Sequence, residues 1–170
     1  MEIRLRTEAD VPALLAALKA THEVDRYPVL PNHVSQQWLL EGDDGVAWVA
    51  DLDGDVVGHV AVADDDRNRA ALSVHRLFVA PKARGFGLAS ALLTTVETYA
   101  EVLGDDLYLE VVAHNTDAIS LYERRGWQRY GSYTATWSAP DGTHPVIYLY
   151  GAPKNTRGAS VEIGAGSPVE

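Results

Sequence analysis

The stretch from Leu77 to Ser90, Leu-Phe-Val-Ala-Pro-Lys-Ala-Arg-Gly-Phe-Gly-Leu-Ala-Ser, constrains what this chain can fold into more than any other. It opens as an apolar strand, breaks at Pro81, and passes through Gly85 and Gly87 into a long amphipathic run. A strand feeding a glycine-bearing turn that opens a helix is a device for holding a phosphate. The N–H groups of a first helical turn lack intrahelical acceptors, and the helix dipole adds about half a positive charge there. Glycine at 85 and 87 lets a ligand approach the backbone with no Cβ in the way. Arg84 and Lys82 set positive charge beside those amides.

The chain on either side of this turn switches period several times. Ile3 to Arg6 alternates as a short half-buried strand. Asp10-Val11-Pro12 reads as a helix start with Asp10 as N-cap, and Leu14, Leu15 and Leu18 give that helix an apolar face. Thr21 to Pro31 has two prolines and no period, which predicts a loop. Val34, Trp38 and Leu39 fall at helical spacing within Asn32 to Leu40, ahead of Gly42 as a C′ residue. Val46 to Leu52 and Val56 to Ala63 are β-rich and joined by Asp53-Gly54, a two-residue hairpin signal. The run from Asp64 to Arg69 predicts a polar loop, and Leu72 to Val79 the next strand. Three adjacent aspartates at 64–66 lack the further oxygens of a cation cage, so a solvated turn is expected there and no metal site.

After the glycines, Leu88, Leu92, Val96, Tyr99 and Leu103 mark one helix face, which Gly104 ends. Leu107 to Ala113 reads as a strand, followed by a helix capped at Asn115-Thr116-Asp117 and stopped by Gly126. Gln128 to Ser138 and Pro145 to Tyr150 make a final strand pair around Pro140-Asp141-Gly142. Residues 1–152 are expected to form a single domain and 153–170 a disordered tail, since Gly, Ala, Ser, Pro and charge there follow no apolar period. The order β-α-α-β-β-β-α-β-α-β-β predicts an α/β (α+β) domain: a mixed six- to seven-stranded sheet with helices on both faces.

Composition excludes some functions. The absence of cysteine removes disulfides, thiolate metal sites and cysteine nucleophiles, and makes a cytoplasmic location the default. A net charge of −10 argues against a nucleic-acid partner. No run of about 18 apolar residues occurs, so no membrane partner is expected, and the N-terminus lacks the form of a signal peptide.

Three phosphate-loop patterns compete for Arg84 to Ser90. No Lys-Ser or Lys-Thr pair exists for a P-loop. A dinucleotide fingerprint needs a small apolar residue where Ser90 stands, and it opens a sheet rather than following three or four strands. Arg84-x-x-Gly87-x-Ala89 instead resembles the Q/R-x-x-G-x-G/A signature of the GCN5-related N-acetyltransferase (GNAT) family. Asn115-x-x-Ala118-x-x-Leu121-Tyr122-Glu123-x-x-Gly126-Trp127 is similar to that family's N-x-x-A-x-x-L-Y-x-x-x-G-F block, with Trp for Phe. The resemblance extends from Ile3 to about Tyr150.

The resemblance implies a GNAT fold and acetyl-CoA as co-substrate, with no metal. Backbone amides of Arg84, Gly85, Phe86, Gly87, Leu88 and Ala89 would cradle the pyrophosphate. Leu77, Phe78 and Val79 would border the pantetheine arm, with Leu77 and Val79 pairing to it as a strand does. That pairing needs strands 72–79 and 107–113 to splay after a bulge. Asn115 would contact the same arm, an N–H near Val79 would meet the oxyanion, and Tyr122 stands where the family places the acid that protonates the leaving thiolate.

The base is open between Glu110, His75 and a water chain. Glu110 occupies the position of the base in ribosomal-protein N-terminal acetyltransferases. Alternation puts His75 on one face with Leu77 and Val79. Histidines 22, 33, 59, 114 and 144 have no partner spacing, which favours surface or core roles. Family acceptor pockets draw on the segments Thr21–Trp38 and Tyr130–His144, so Tyr27, Tyr133 and Trp137 are candidate walls, with Glu23 or Asp25 attracting an amine. Tyr133-Thr134-Ala135-Thr136-Trp137 stands where the N-terminal acetyltransferases carry a Tyr-Tyr-Pro-like stretch, which favours a small-molecule amine over a protein amine. A non-catalytic acyl-CoA sensor and a longer acyl donor are the alternatives, and a homodimer is a candidate assembly, dimers being common among relatives.

Overall fold

The computed structural model of the protein describes residues 1–41, 45–65 and 68–155. Seven strands form one sheet in the order β1-β2-β3-β4-β5-β7-β6. They are β1 (Glu2–Leu5), β2 (Val46–Leu52), β3 (Asp55–Asp65), β4 (Asn68–Val79), β5 (Asp106–Val112), β6 (Gln128–Thr134) and β7 (Val146–Gly151). The helices are α1 (Val11–Asp25), α2 (Gln36–Leu40), α3 (Leu88–Leu103) and α4 (Thr116–Arg124). The sheet is mixed: β4 and β5 run parallel, while β1–β2, β2–β3, β5–β7 and β6–β7 are antiparallel. Contacts divide the chain into two compact units, residues 1–63 with 75–96, and residues 64–74 with 97–170.

In the first unit, Asp53 (φ 56°) and Gly54 (φ 92°) turn the β2–β3 hairpin with the two positive φ angles that an Asp-Gly pair tolerates. The Asp51 carboxylate accepts the Gly54 N–H at 2.8 Å and fixes the turn. The core face of α1 is Val11, Leu14, Ala17, Leu18 and Thr21, and each fully buried leucine removes apolar area worth about 2 kcal/mol.

Asp10 precedes α1 but its side chain does not cap it. The carboxylate accepts from Arg4 at 2.7 and 2.8 Å and from the Thr7 N–H at 2.7 Å. Those donors hold its pKa far below the ordinary carboxylate range, the Arg4 hydrogen bond being the largest cause. Arg4 and the Thr7 amide, both upstream, take the carboxylate in place of the first-turn amides of α1.

Several expected boundaries move. α1 continues to Asp25, five residues into the expected loop, and ends on Arg26 at φ 59°. The helix expected from Asn32 starts only at Gln36: Pro31–His33 form a 3-10 turn, and the Ser35 hydroxyl caps α2 by accepting from Trp38 N–H. Gly42, expected to end it, lies outside the described residues. The run expected as a polar loop at 64–69 is mostly strand, since β3 extends to Asp65 and β4 starts at Asn68, Asp66 and Arg67 lying outside the described residues. Asp65 is buried, which hydropathy alone does not foretell.

In the second unit, Leu107, Leu109, Leu149 and Tyr150 are buried on the β5–β7 ladder. The last pair is shorter than expected at its turn: β6 stops at Thr134 and β7 starts at Val146. Leu103, placed by spacing on the buried face of α3, is 51% exposed at the helix end. The buried α3 positions are Leu88, Leu92, Leu93, Val96 and Ala100. Of the expected tail, residues 156–170 lie outside the described residues. Before them, the Asn155 side chain donates to Leu107 C=O at 3.0 Å and accepts from Leu107 N–H at 2.8 Å.

Candidate active site

Each half of the expected site is built within one unit. In the first, β4 ends at Val79, and the Ala80 N–H donates to Val57 C=O at 2.7 Å before the chain enters a 3-10 turn at Pro81–Ala83. Gly85 (φ 84°) and Gly87 (φ 75°) then take left-handed conformations. No atom lies within 4 Å of where a Cβ would sit on either, so glycine is required here by the backbone and the space beyond stays open. Leu88 is buried and anchors the start of α3. Ala91 N–H bonds back to Gly87 C=O at 3.0 Å, so the first-turn amides before it have no acceptor within the helix. Phe86 is 61% exposed.

Both cations beside this turn face carboxylates. The Arg84 guanidinium forks onto Asp25, with Nη1 to Oδ1 at 3.1 Å and Nη2 paired with Oδ2. Lys82 Nζ lies 3.6 Å from Asp55. Asp25, expected to draw an amine, is therefore the partner of Arg84. Tyr27 packs edge-on against Trp38 (6.2 Å between centroids) and tilted against Phe78 (6.4 Å).

Strand β4 is not regular. Its parallel ladder to β5 runs from Ala71–Asp106 to Val74–Leu109, and two residues later Arg76 takes φ 52°. A left-handed residue inside a strand is a bulge signature. The alternation that put His75 on one face with Leu77 and Val79 therefore does not carry through Arg76. His75 itself is half-buried.

The preceding strand supports this bulge through residues the sequence did not single out. His59, fully buried, brings Nδ1 to within 2.9 Å of Arg76 C=O and Nε2 to within 3.1 Å of Arg6 Nη1. Its ring stacks on Phe78 at 5.5 Å. Gly58 lies beside the Phe78 carbonyl, where an added Cβ would sit 3.2 Å from that oxygen. A glycine followed by a histidine inside an apolar β run was the available signal.

The second unit holds Glu110, Asn115, Tyr122, Tyr133 and Trp137. Glu110, half-buried on β5, accepts a hydrogen bond from Tyr133 Oη on β6 at 2.8 Å, so the expected base and one expected wall residue are in direct contact. Asn115 caps α4, its Oδ1 accepting from Ala118 N–H at 3.3 Å. Tyr122 is buried, and its ring lies against Trp127 (6.0 Å) and Tyr150 (6.1 Å). Its hydroxyl has no hydrogen-bond partner among the described residues, and burial alone pushes its pKa well above the ordinary 10.0. Trp127 is held from the other side, its indole N–H donating to Glu97 at 2.8 Å, a carboxylate that also pairs with Arg125. Trp137 is half-buried, and its carbonyl accepts a hydrogen bond from His144 Nδ1 at 3.0 Å.

Chemically, the first unit offers an open glycine turn at a helix start. The second offers a carboxylate next to a phenol and, separately, a neutral buried phenol. Among the described residues, no group of three or more potential ligands is arranged to hold a metal ion, and no helix is long and apolar enough to cross a membrane.

A family model described as Acetyltransferase (GNAT) family matches residues 11–127. The chain is similar to the probable N-acetyltransferase family 8 member 5 of Mus musculus, 39% identical over 94 residues, which are 53% of this chain and 41% of that protein. It thus spans less than half the length of that mouse relative. It is also similar to the IAA acetyltransferase of Azospirillum brasilense, 32% identical over 137 residues, or 77% of this chain and 86% of that protein. The crystal structure of a ribosomal-protein-alanine N-acetyltransferase from Brucella melitensis matches with a TM-score of 0.72 and 25% identity, covering 89% of this chain and 98% of that one. Other solved structures of this fold are described as complexes with acetyl-CoA.

Proposed function

Because this chain belongs to the GNAT family of acetyltransferases, we propose that it moves an acetyl group from acetyl-CoA to a primary amine by direct attack on the thioester, a small-molecule amine being the favoured acceptor. The observation that carries this reading is the matched span, residues 11–127, which contains the glycine turn, Glu110, Asn115 and Tyr122. That span crosses both compact units, which supports reading residues 1–152 as one catalytic domain.

The roles divide by chemistry. The amides of Arg84 to Ala89 receive the pyrophosphate, where open space beyond Gly85 and Gly87 admits it. The backbone of Leu77 to Val79, beyond the bulge at Arg76, pairs with the pantetheine arm, and Asn115 contacts that arm. Because the Arg84 side chain is engaged by Asp25, phosphate binding rests on backbone amides more than on that charge.

An alkylammonium has a pKa of about 10.4, so the acceptor must lose a proton before it attacks. Glu110, directly or through water, takes that proton, and Tyr133 orients the carboxylate by its hydrogen bond. The amine nitrogen then bonds to the thioester carbonyl carbon, and the oxyanion is met by an N–H near Val79. The C–S bond breaks as the sulfur takes a proton from Tyr122, and the second proton that the nitrogen sheds on becoming an amide restores the phenol. A phenol kept neutral by burial, with its proton committed to no other acceptor, suits that role.

A protein amino group is the second reading. The likeness to the Brucella ribosomal-protein-alanine enzyme and the strand position of Glu110 favour it. Thiol release from acetyl-CoA, measured across small amines and peptides with free N-termini or lysines, separates the two. The first reading expects turnover with a small amine well above any peptide. Turnover with peptides alone would replace it by the second, and tight CoA binding without thiol release from any amine would leave an acyl-CoA sensor.

A further inference from the structure

We propose that His59 is a positioning residue for acetyl-CoA: its Nδ1–H, donated to the carbonyl of Arg76, sets the β4 bulge and thereby the edge at Leu77–Val79 that receives the pantetheine arm. The proposal rests on the acetyl-CoA reading above.

The tautomer follows from the partners. Arg6 is a guanidinium that can only donate, so the His59 Nε2 it faces at 3.1 Å must accept. The ring proton then sits on Nδ1, which is 2.9 Å from Arg76 C=O, an atom that can only accept. Arg6 and Arg76 thus specify one neutral tautomer from opposite sides, and a protonated ring would bring two cations into contact.

Arg76 is also where the backbone needs holding. Its φ of 52° is a conformation that a side chain bearing a Cβ disfavours, and such residues persist only where their surroundings fix them. Three consecutive residues of β3 supply the constraint. Val57 C=O takes the Ala80 N–H at 2.7 Å, Gly58 leaves room for the Phe78 carbonyl, and His59 takes the Arg76 carbonyl while its ring stacks on Phe78. The polar atoms of Leu77 to Val79 are therefore aimed by contacts on both flanks, and the buried imidazole is the one side chain among them that does this by a directed hydrogen bond.

The test compares isosteres in the full chain. Asparagine can place an N–H close to where Nδ1 stands, glutamine reaches the Nε2 position instead, and leucine fills the volume with neither. Acetyl-CoA affinity of His59→Asn, His59→Gln and His59→Leu is measured by titration calorimetry, with the thermal midpoint of each variant read alongside. Asn is expected to bind within about threefold of the native chain, while Gln and Leu bind at least about tenfold more weakly, with a raised acetyl-CoA KM and a smaller change in kcat. Equal affinities for Asn and Gln, at any thermal midpoint, would overturn the proposal, because a merely structural role would lower stability without sorting the two by donor position. Failure of the native chain to bind acetyl-CoA would refute the underlying reading instead. Should the variants fail to fold, nitrogen-15 spectra of histidine-labelled native protein still decide: a His59 proton on Nε2, or on both nitrogens, overturns it.

Discussion

Replacing Tyr122 with phenylalanine removes one oxygen whose energetic role can be worked out in advance. The hydroxyl has no hydrogen-bond partner among the described residues, so its loss orphans no buried donor or acceptor. The ring contacts to Trp127 and Tyr150 survive the change. Folding stability should therefore stay within about 0.5 kcal/mol of the native value. The same oxygen is assigned the proton that the leaving sulfur takes, and loss of a general acid costs about 10²- to 10⁴-fold in rate, or about 3–5 kcal/mol of barrier. The expected result is a large fall in kcat with acetyl-CoA affinity and thermal midpoint nearly unchanged. The pH profile gives a second handle. Burial raises the Tyr122 pKa, so the neutral phenol persists above pH 10 and the native enzyme should show no alkaline loss from this group below that pH. The assay is steady-state thiol release with the preferred amine, joined to calorimetric binding of acetyl-CoA. A kcat within about threefold of native would remove Tyr122 as the acid, and a matching collapse in stability would show that the hydroxyl has a structural partner.

Glu110→Gln should lower kcat about 100-fold near neutrality, and the deficit should shrink as pH approaches the acceptor's own pKa near 10.4; a deficit independent of pH would exclude Glu110 as the base. Asp10→Asn should cost about 2 kcal/mol of stability at neutral pH, read as a fall of about 4–8 °C in Tm. The folded Asp10 pKa is depressed by Arg4, so its contribution is present above the unfolded value of 3.8 and is lost as pH falls below it. The native chain should thus lose stability in acid more steeply than the variant, and parallel curves would show that the Arg4–Asp10 pair contributes nothing.

What was legible in the sequence was what local chemistry decides. Asp53-Gly54 adopts the two positive φ angles its residue types favour, Asn115 caps α4 by its own side chain, and Gly85 and Gly87 take conformations few other residues accept. What was not legible depends on partners distant in the chain. Asp10 looks like a cap until Arg4 arrives across β1, and Asp25 looks like a free carboxylate until Arg84 arrives from 59 residues away. His59 shows no spacing to any partner because Arg6 and Arg76 lie 53 and 17 residues from it. The failed alternation at His75 has one cause, a left-handed arginine that no propensity scale assigns to a strand. β3 and β4 reach Asp65 and Asn68 although the residues around them are charged, so composition alone misplaced both strand ends.

The Asn155 amide behaves as an extra rung. By giving and taking one hydrogen bond at Leu107, it imitates a peptide group at the point where β7 has already ended. Its reach fixes the number of residues between Gly151 and Asn155, because a one-residue insertion or deletion there would move the amide off Leu107. Junctions for fusions or affinity handles therefore belong after Asn155: a join made before it trades a sealed sheet margin for one with a bare donor and a half-satisfied acceptor.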